Sequence, residues 1–160
     1  MRVRVAWLGR PSASPYETEV ETDRKRVNRR WPAEDRPLRA TSGGRRQDPA
    51  RAVRLEADAL ERQCEPGFHL VALDERGAVR DSESFARWMA GFEERGAPGV
   101  VFAVGSDLGL DPQFLDRSNE AMSLSSMTLP HLLARLLLWE QLFRATQILG
   151  GGAYHRVGLQ

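Results

Sequence analysis

Along RVRVAWL at 2–8 the apolar residues first alternate with arginine and then run together, as in a half-buried strand entering a core. FHLVALD at 68–74 and GVVFAVG at 99–105 are apolar almost throughout, which predicts strands covered on both faces. Between them, Asp81 or Ser82 caps a helix from about 83 to 95 with Phe85, Trp88, Met89 and Phe92 on one face. Asp48 as N-cap and Pro49 at the first position predict a helix near 49–63, with Ala52, Val53, Leu55, Ala59 and Leu60 roughly on one side. Weaker signals are PLRAT at 37–41 and AMSLS at 121–125 as short strands, and a short helix opened by Asp111-Pro112. The stretch from Tyr16 to Arg30 reads at best as a mediocre surface helix. Two apolar strands separated by a helix predict an α/β fold, a mostly parallel sheet covered by helices on both faces.

A long helix over 130–149 ends at Gly150-Gly151-Gly152. Leu132, Leu136, Trp139 and Phe143 form one stripe, and Leu138, Leu142 and Leu149 lie nearly opposite. A helix with no clean polar face needs cover on two sides. The sheet supplies one; a second copy of the chain is the expected source of the other, which predicts a homodimer. Glu140 and Arg144 are an i,i+4 pair in the favourable order and need no function to explain them.

At 160 residues the chain is expected to be one domain, 1–160, with 41% apolar residues and a mean hydropathy of −0.46. No apolar run reaches the roughly 18 residues of a membrane helix, and the N-terminal run is too short for a secretory signal. The lone Cys64 excludes an internal disulfide and a multi-cysteine metal site, in keeping with a cytoplasmic location. Charge is unevenly placed: residues 1–54 carry 14 basic against 7 acidic side chains, the remainder 9 against 15. Arg24-Lys25-Arg26 and Arg29-Arg30 are candidates to meet phosphates. A solvated helix face is the plainer explanation, since only one of the 23 basic residues is lysine.

Three strand ends carry loops suited to a ligand: Leu73-Asp74-Glu75-Arg76-Gly77, Gly105-Ser106-Asp107-Leu108-Gly109, and SLSSMTLP at 123–130. In open parallel sheets ligands sit at the carboxyl ends of strands. GSDLG has neither dinucleotide-fold spacing nor the Lys-Ser/Thr of a P-loop. Glycine there admits close backbone approach or simply makes a tight turn; three such loops together favour a nucleotide-like ligand. His131, in the first turn of the long helix, is a candidate to accept a proton or donate a hydrogen bond. His155 stands between Tyr154 and Arg156 near the chain end. Metal ligation is not expected, because the three histidines have no ligand spacing.

SLSSMTLPHLLARLLLWEQLFRATQILGGGAYHR closely resembles the SPOUT-type ribosomal RNA large subunit methyltransferase H family, with LDERG and VFAVGSDLGL as supporting blocks. The resemblance spans nearly the whole chain and is strongest over about 121–156. It implies an α/β trefoil knot, a homodimer, and methylation by S-adenosylmethionine of the pseudouridine N3 in a stem-loop of 23S ribosomal RNA on assembled ribosomes. Carried over by position, Leu73, Gly105, Leu124, Ser125, Ser126, Met127, Thr128 and Leu129 hold the cofactor. His131, Tyr154, His155 and Arg156 are the catalytic candidates, the tail lying at the RNA end. Arg24, Lys25, Arg45 and Arg46 are the expected phosphate grip, with no membrane or DNA partner.

The chain departs from the family in two places. Gly105-Ser106 followed by Asp107 replaces the usual pair of glycines, and Val157-Gly158-Leu159-Gln160 extend the tail. If the position needs φ > 0, serine there costs about 1 kcal/mol; if the glycine hydrogen faces the cofactor, the Ser106 side chain would crowd the pocket instead. The alternative function is a catalytically weakened, dimeric ribosome- or RNA-binding protein that keeps the fold.

Overall fold

The computed structural model describes residues 1–40 and 48–151. Five strands form one sheet in the order β2-β1-β4-β3-β5, every neighbouring pair parallel. In chain order the elements are β1 (Arg2–Leu8), α1 (Glu17–Val27), β2 (Ala33–Leu38), α2 (Pro49–Glu61), β3 (His69–Val79), α3 (Ser82–Glu94), β4 (Gly99–Val104), α4 (Pro112–Arg117), β5 (Glu120–Ser123) and α5 (His131–Leu149). Membership of the α/β class and the doubly covered sheet follow from the apolar runs as expected.

Strand alternation divides the core in two. Val3, Val5 and Trp7 of β1, with Val100, Phe102 and Val104 of β4, face α1, α5 and α3. Ala6, Leu8, Val101, Ala103, Leu70 and Ala72 face Ala57 and Leu60 of α2 and Phe114 of α4. The caps at Asp48, Asp81 and Asp111 accept hydrogen bonds from Ala50, Ser84, and Gln113 with Phe114, which fixes where these helices begin.

Several expectations need correction. α1 is a full helix whose Val20 and Val27 are buried against α5; two valines suffice because packing, not propensity, stabilises it. The second strand lies at Ala33–Leu38 rather than 37–41. Its polar sequence and Pro37 are tolerated because β2 is an edge strand. On α2 the buried face carries Glu56, whereas Leu55 is exposed. β3 continues to Val79: Leu73 and Ala78 both register with Met122, so residues 74–77 form an excursion within the strand. Gly77 permits the return, since a Cβ there would lie 2.5 Å from the Met122 amide nitrogen.

α5 finds both of its covers inside the protomer. It packs over β4 between α1 and α3, burying Leu138 and Leu142 as well as Trp139 and Phe143. A second copy is therefore not required to cover the Leu138–Leu142 side. Arg135, only 1% exposed, seats the helix: it ion-pairs with Glu17 at 2.8 Å and Asp35 at 2.7 Å. Asp35 also accepts from Trp7 and Trp139 Nε1, each at 2.8 Å, and the Arg135 guanidinium lies 4.0 Å from the Trp7 ring. None of the helices among the described residues is long and apolar enough to cross a membrane.

Candidate functional site

The carboxyl ends of β3, β4 and β5 and the first turn of α5 enclose a cleft of about 700 Å³. Its volume suits a small-molecule ligand. Leu73, Gly105, Leu124, Ser125, Met127, Thr128, Leu129 and His131 line it; Ser126 does not. Tyr154, His155 and Arg156, like Arg45 and Arg46, lie outside the described residues. Seven of the eight residues that the resemblance assigns to the cofactor, together with one of the four catalytic candidates, therefore share one cavity.

The floor is a tight hairpin following β4. Ser106 and Gly109 form an isolated bridge, and the Gly109 amide donates to the Ser106 carbonyl at 2.9 Å. Gly109 has φ +77°, a conformation suited to glycine. Gly105 is needed for proximity, since a Cβ would meet the Gly109 oxygen at 2.8 Å. Ser106 corrects the strain expectation: all non-glycine φ angles among the described residues are negative. Its hydroxyl points down into the fold, away from any role as an obstruction. Oγ donates to Glu56 at 2.6 Å and accepts from the Leu108 amide at 3.2 Å.

The opposite wall is the segment from Ser123 to Pro130. Ser123 Oγ donates to the Ser125 carbonyl at 2.7 Å, and Ser125 Oγ accepts from the Met127 amide at 2.9 Å, so short polar side chains set the curve of this loop. Thr128 Oγ1 donates to Glu75 at 2.6 Å, tying the wall to the β3 excursion. In that excursion, hydrogen bonds from the Arg76 side chain and amide hold Asp74 below the usual carboxylate range. Asp107 and His131 face each other across the cleft floor, with Oδ1 and Nδ1 2.7 Å apart. The sequence carried no signal for this pair, because 24 residues separate its members.

The lining has a chemical character. Asp74, Glu75 and Asp107 bring carboxylates to the cleft, balanced by a single arginine, Arg76. Leu108 and Met127, 41% and 73% exposed, present apolar surface at the same cavity. Such a lining can hold an organic cation that also has a flat apolar part. Polar backbone of the hairpin supplies further hydrogen-bonding groups.

An open parallel sheet with a cleft at three strand ends, bordered by the start of α5, is an α/β architecture of the kind that binds ligands at the carboxyl ends of its strands. The family described as "Predicted SPOUT methyltransferase" matches residues 1–155. Similar proteins named "Ribosomal RNA large subunit methyltransferase H" include one from Allorhizobium ampelinum, 36% identical over 98% of this chain and 99% of its own. Another, from Rhodospirillum centenum, is 36% identical over 98% and 99% respectively. The one from Acidiphilium cryptum is 37% identical over 98% and 95%. The chain belongs to the SPOUT methyltransferase family and, within it, to the group of ribosomal RNA large subunit methyltransferase H proteins.

Proposed function

We propose that the protein is an S-adenosylmethionine-dependent methyltransferase that modifies N3 of a pseudouridine in a stem-loop of 23S ribosomal RNA on assembled ribosomes. The observation that carries this reading is the shared cleft, where the motif residues at three strand ends meet. Family membership and the names of the relatives support the ribosomal RNA substrate. The carboxylate-rich lining suits a sulfonium, and the apolar Leu108 and Met127 suit an adenine ring.

S-adenosylmethionine, when bound, supplies a methyl group on a sulfonium, an electrophile that needs no further activation. Leu73, Gly105 and the wall at Leu124, Ser125, Met127, Thr128 and Leu129 hold it. His131 takes the pseudouridine N3 proton at Nε2. That nitrogen makes no hydrogen bond among the described residues, whereas Nδ1 faces Asp107 at 2.7 Å. With Nδ1–H donated to the carboxylate, the tautomer that leaves Nε2 open is the favoured one. Asp107 is thus a positioning residue. Tyr154, His155 and Arg156 act at the RNA end, Arg156 by stabilising negative charge on the imide.

The reading places a single domain in the cytoplasm as a homodimer joined through the outer side of α5. Leu133 and Leu137, one turn apart, are half-buried and stand outside the core cluster, so they offer apolar surface to a second copy. Calorimetric titration with S-adenosylmethionine tests the reading first. Micromolar binding, followed by methyl transfer to ribosomes lacking the modification, is expected; binding without transfer to such ribosomes would overturn it in favour of a non-catalytic ribosome-binding protein.

A further inference from the structure

The two ends of the sheet treat their arginines differently. At the amino-terminal end, where α1 finishes and β2 begins, the cations other than the exposed Arg29 are engaged internally. Arg24 pairs with Glu21 at 2.7 Å and donates to the Ala33 carbonyl; Arg26 pairs with Asp23 at 3.2 Å; Arg30 pairs with Glu93 at 2.7 Å. Arg24 and Lys25, expected from sequence to grip phosphate, therefore sit at the end of the sheet away from the cleft. Their neighbours already neutralise much of their charge.

The carboxyl-terminal end differs. Trp7 registers with Val104, and Leu8 with Leu38, so Arg10 and Arg39 emerge level with the Gly105–Gly109 hairpin. Strand steps are about 4.8 Å, which puts them one and two strands to the side of the cleft floor. Arg51 lies in the first turn of α2, and Glu56 of the same helix is bonded to Ser106 in the hairpin. Arg10, Arg39 and Arg51 are all exposed, and their side chains make no ion pair among the described residues. An unpaired, solvated guanidinium keeps its full charge available for a phosphate.

We propose that Arg10, Arg39 and Arg51 form a rim, on the β1–β2 side of the cleft, that seats the phosphate backbone of the RNA substrate. The proposal rests on the reading of this protein as a ribosomal RNA methyltransferase and names where that RNA lies. Charge is segregated to match: carboxylates inside the cleft face a cationic methyl donor, and free arginines outside it face a polyanion. RNA is favoured over an acidic protein surface because three separated cations along one edge suit regularly spaced phosphates.

The test compares the triple variant R10E/R39E/R51E with the control K25E/R29E, using purified assembled ribosomes that lack the modification as the probe over about 50–200 mM salt. The triple variant is expected to bind at least tenfold more weakly, with a log–log salt slope shallower by about 2 to 3. The control is expected to stay within twofold. Glutamine at the same three positions gives a smaller loss in the same direction, which separates lost attraction from added repulsion. Unchanged thermal melts confirm that each variant is folded. Wild-type affinity and slope in the triple variant, or an equal loss in the control, would overturn the rim while leaving the methyltransferase reading intact. Failure of the wild-type protein to associate with assembled ribosomes at any salt would overturn both.

Discussion

Asp107 Oδ1 stands 2.7 Å from His131 Nδ1, joining the loop after β4 to the first turn of α5 across the floor of the cleft. The carboxylate is 81% exposed whereas the ring is only 22% exposed, so the pair contributes little to stability and much to ring orientation. In the loop after β4, Ser106 and Asp107 follow Gly105, and Asp107 brings a partner to the histidine.

Replacing His131 with alanine is expected to lower the methyl-transfer rate by about 100-fold or more, the usual worth of a positioned base. Asp107→Ala is expected to lower kcat by roughly tenfold with the KM for methyl donor little changed, and Asp107→Glu to restore part of the loss. Steady-state kinetics on unmodified ribosomes separates the two. An Asp107→Ala enzyme with wild-type kcat would remove the positioning role.

Ser106→Gly is expected to destabilise the chain. The change removes the Oγ bond to the buried Glu56 and the one from the Leu108 amide. Loss of about 1 kcal/mol would lower Tm by roughly 2–4 °C. Gly105→Ala has the opposite profile: the fold survives, but the hairpin must shift away from the Gly109 oxygen. Calorimetry is expected to show at least a tenfold loss of methyl-donor affinity for Gly105→Ala and none for Ser106→Gly.

Arg135→Ala strips the half-buried Asp35 and the helix end at Glu17 of their largely buried cation. Breaking such a pair costs about 3–5 kcal/mol, so a Tm drop of roughly 6–20 °C is expected in a thermal melt. Adding Asp35→Asn to Arg135→Met is expected to be milder than Arg135→Met alone, because the uncompensated carboxylate is gone. Equal melting of the two variants would show that packing, not charge, dominates.

His69 gives the acid side of the stability profile. Burial holds its pKa below 6.5, opposed by Glu120 at 3.8 Å and assisted by Arg95 and Arg80. Its Nε2 is buried without a hydrogen bond among the described residues, beside Phe92 and Trp88. The unfolded chain takes up a proton near pH 6.5 while the folded one does so only at lower pH. Stability therefore falls as pH drops through 6.5 toward the folded value. Glu34 adds to this further down: despite burial, hydrogen bonds from Arg4 and Arg36 hold it below 4.5, so its contribution is lost on acidification through that lower value. His69→Gln is expected to flatten the dependence of Tm on pH between about 7 and 5.5 while leaving the fall below about 4.5 in place.

Patterns within a few residues of one another were legible in the chain. The apolar runs of β3 and β4 marked the sheet because a doubly covered strand must be apolar on both faces. The aspartate caps marked three helix starts, because a cap acts on amides two or three residues away. The motif from Ser123 to His131 placed the cleft wall, since a single loop carries it. What joins distant segments was decided only by tertiary packing. β2, with a polar sequence, becomes a strand because β1 offers it an edge, and α1 becomes a helix because α5 covers two valines. Glu56 is buried on α2 because Ser106 arrives to bond it, 50 residues away in the chain. Arg135 reads as an ordinary helix arginine until Glu17 and Asp35, more than a hundred and exactly one hundred residues earlier, close around it. His131 became a candidate by its place in a motif; its partner appeared only when the sheet brought the end of β4 beside the start of α5.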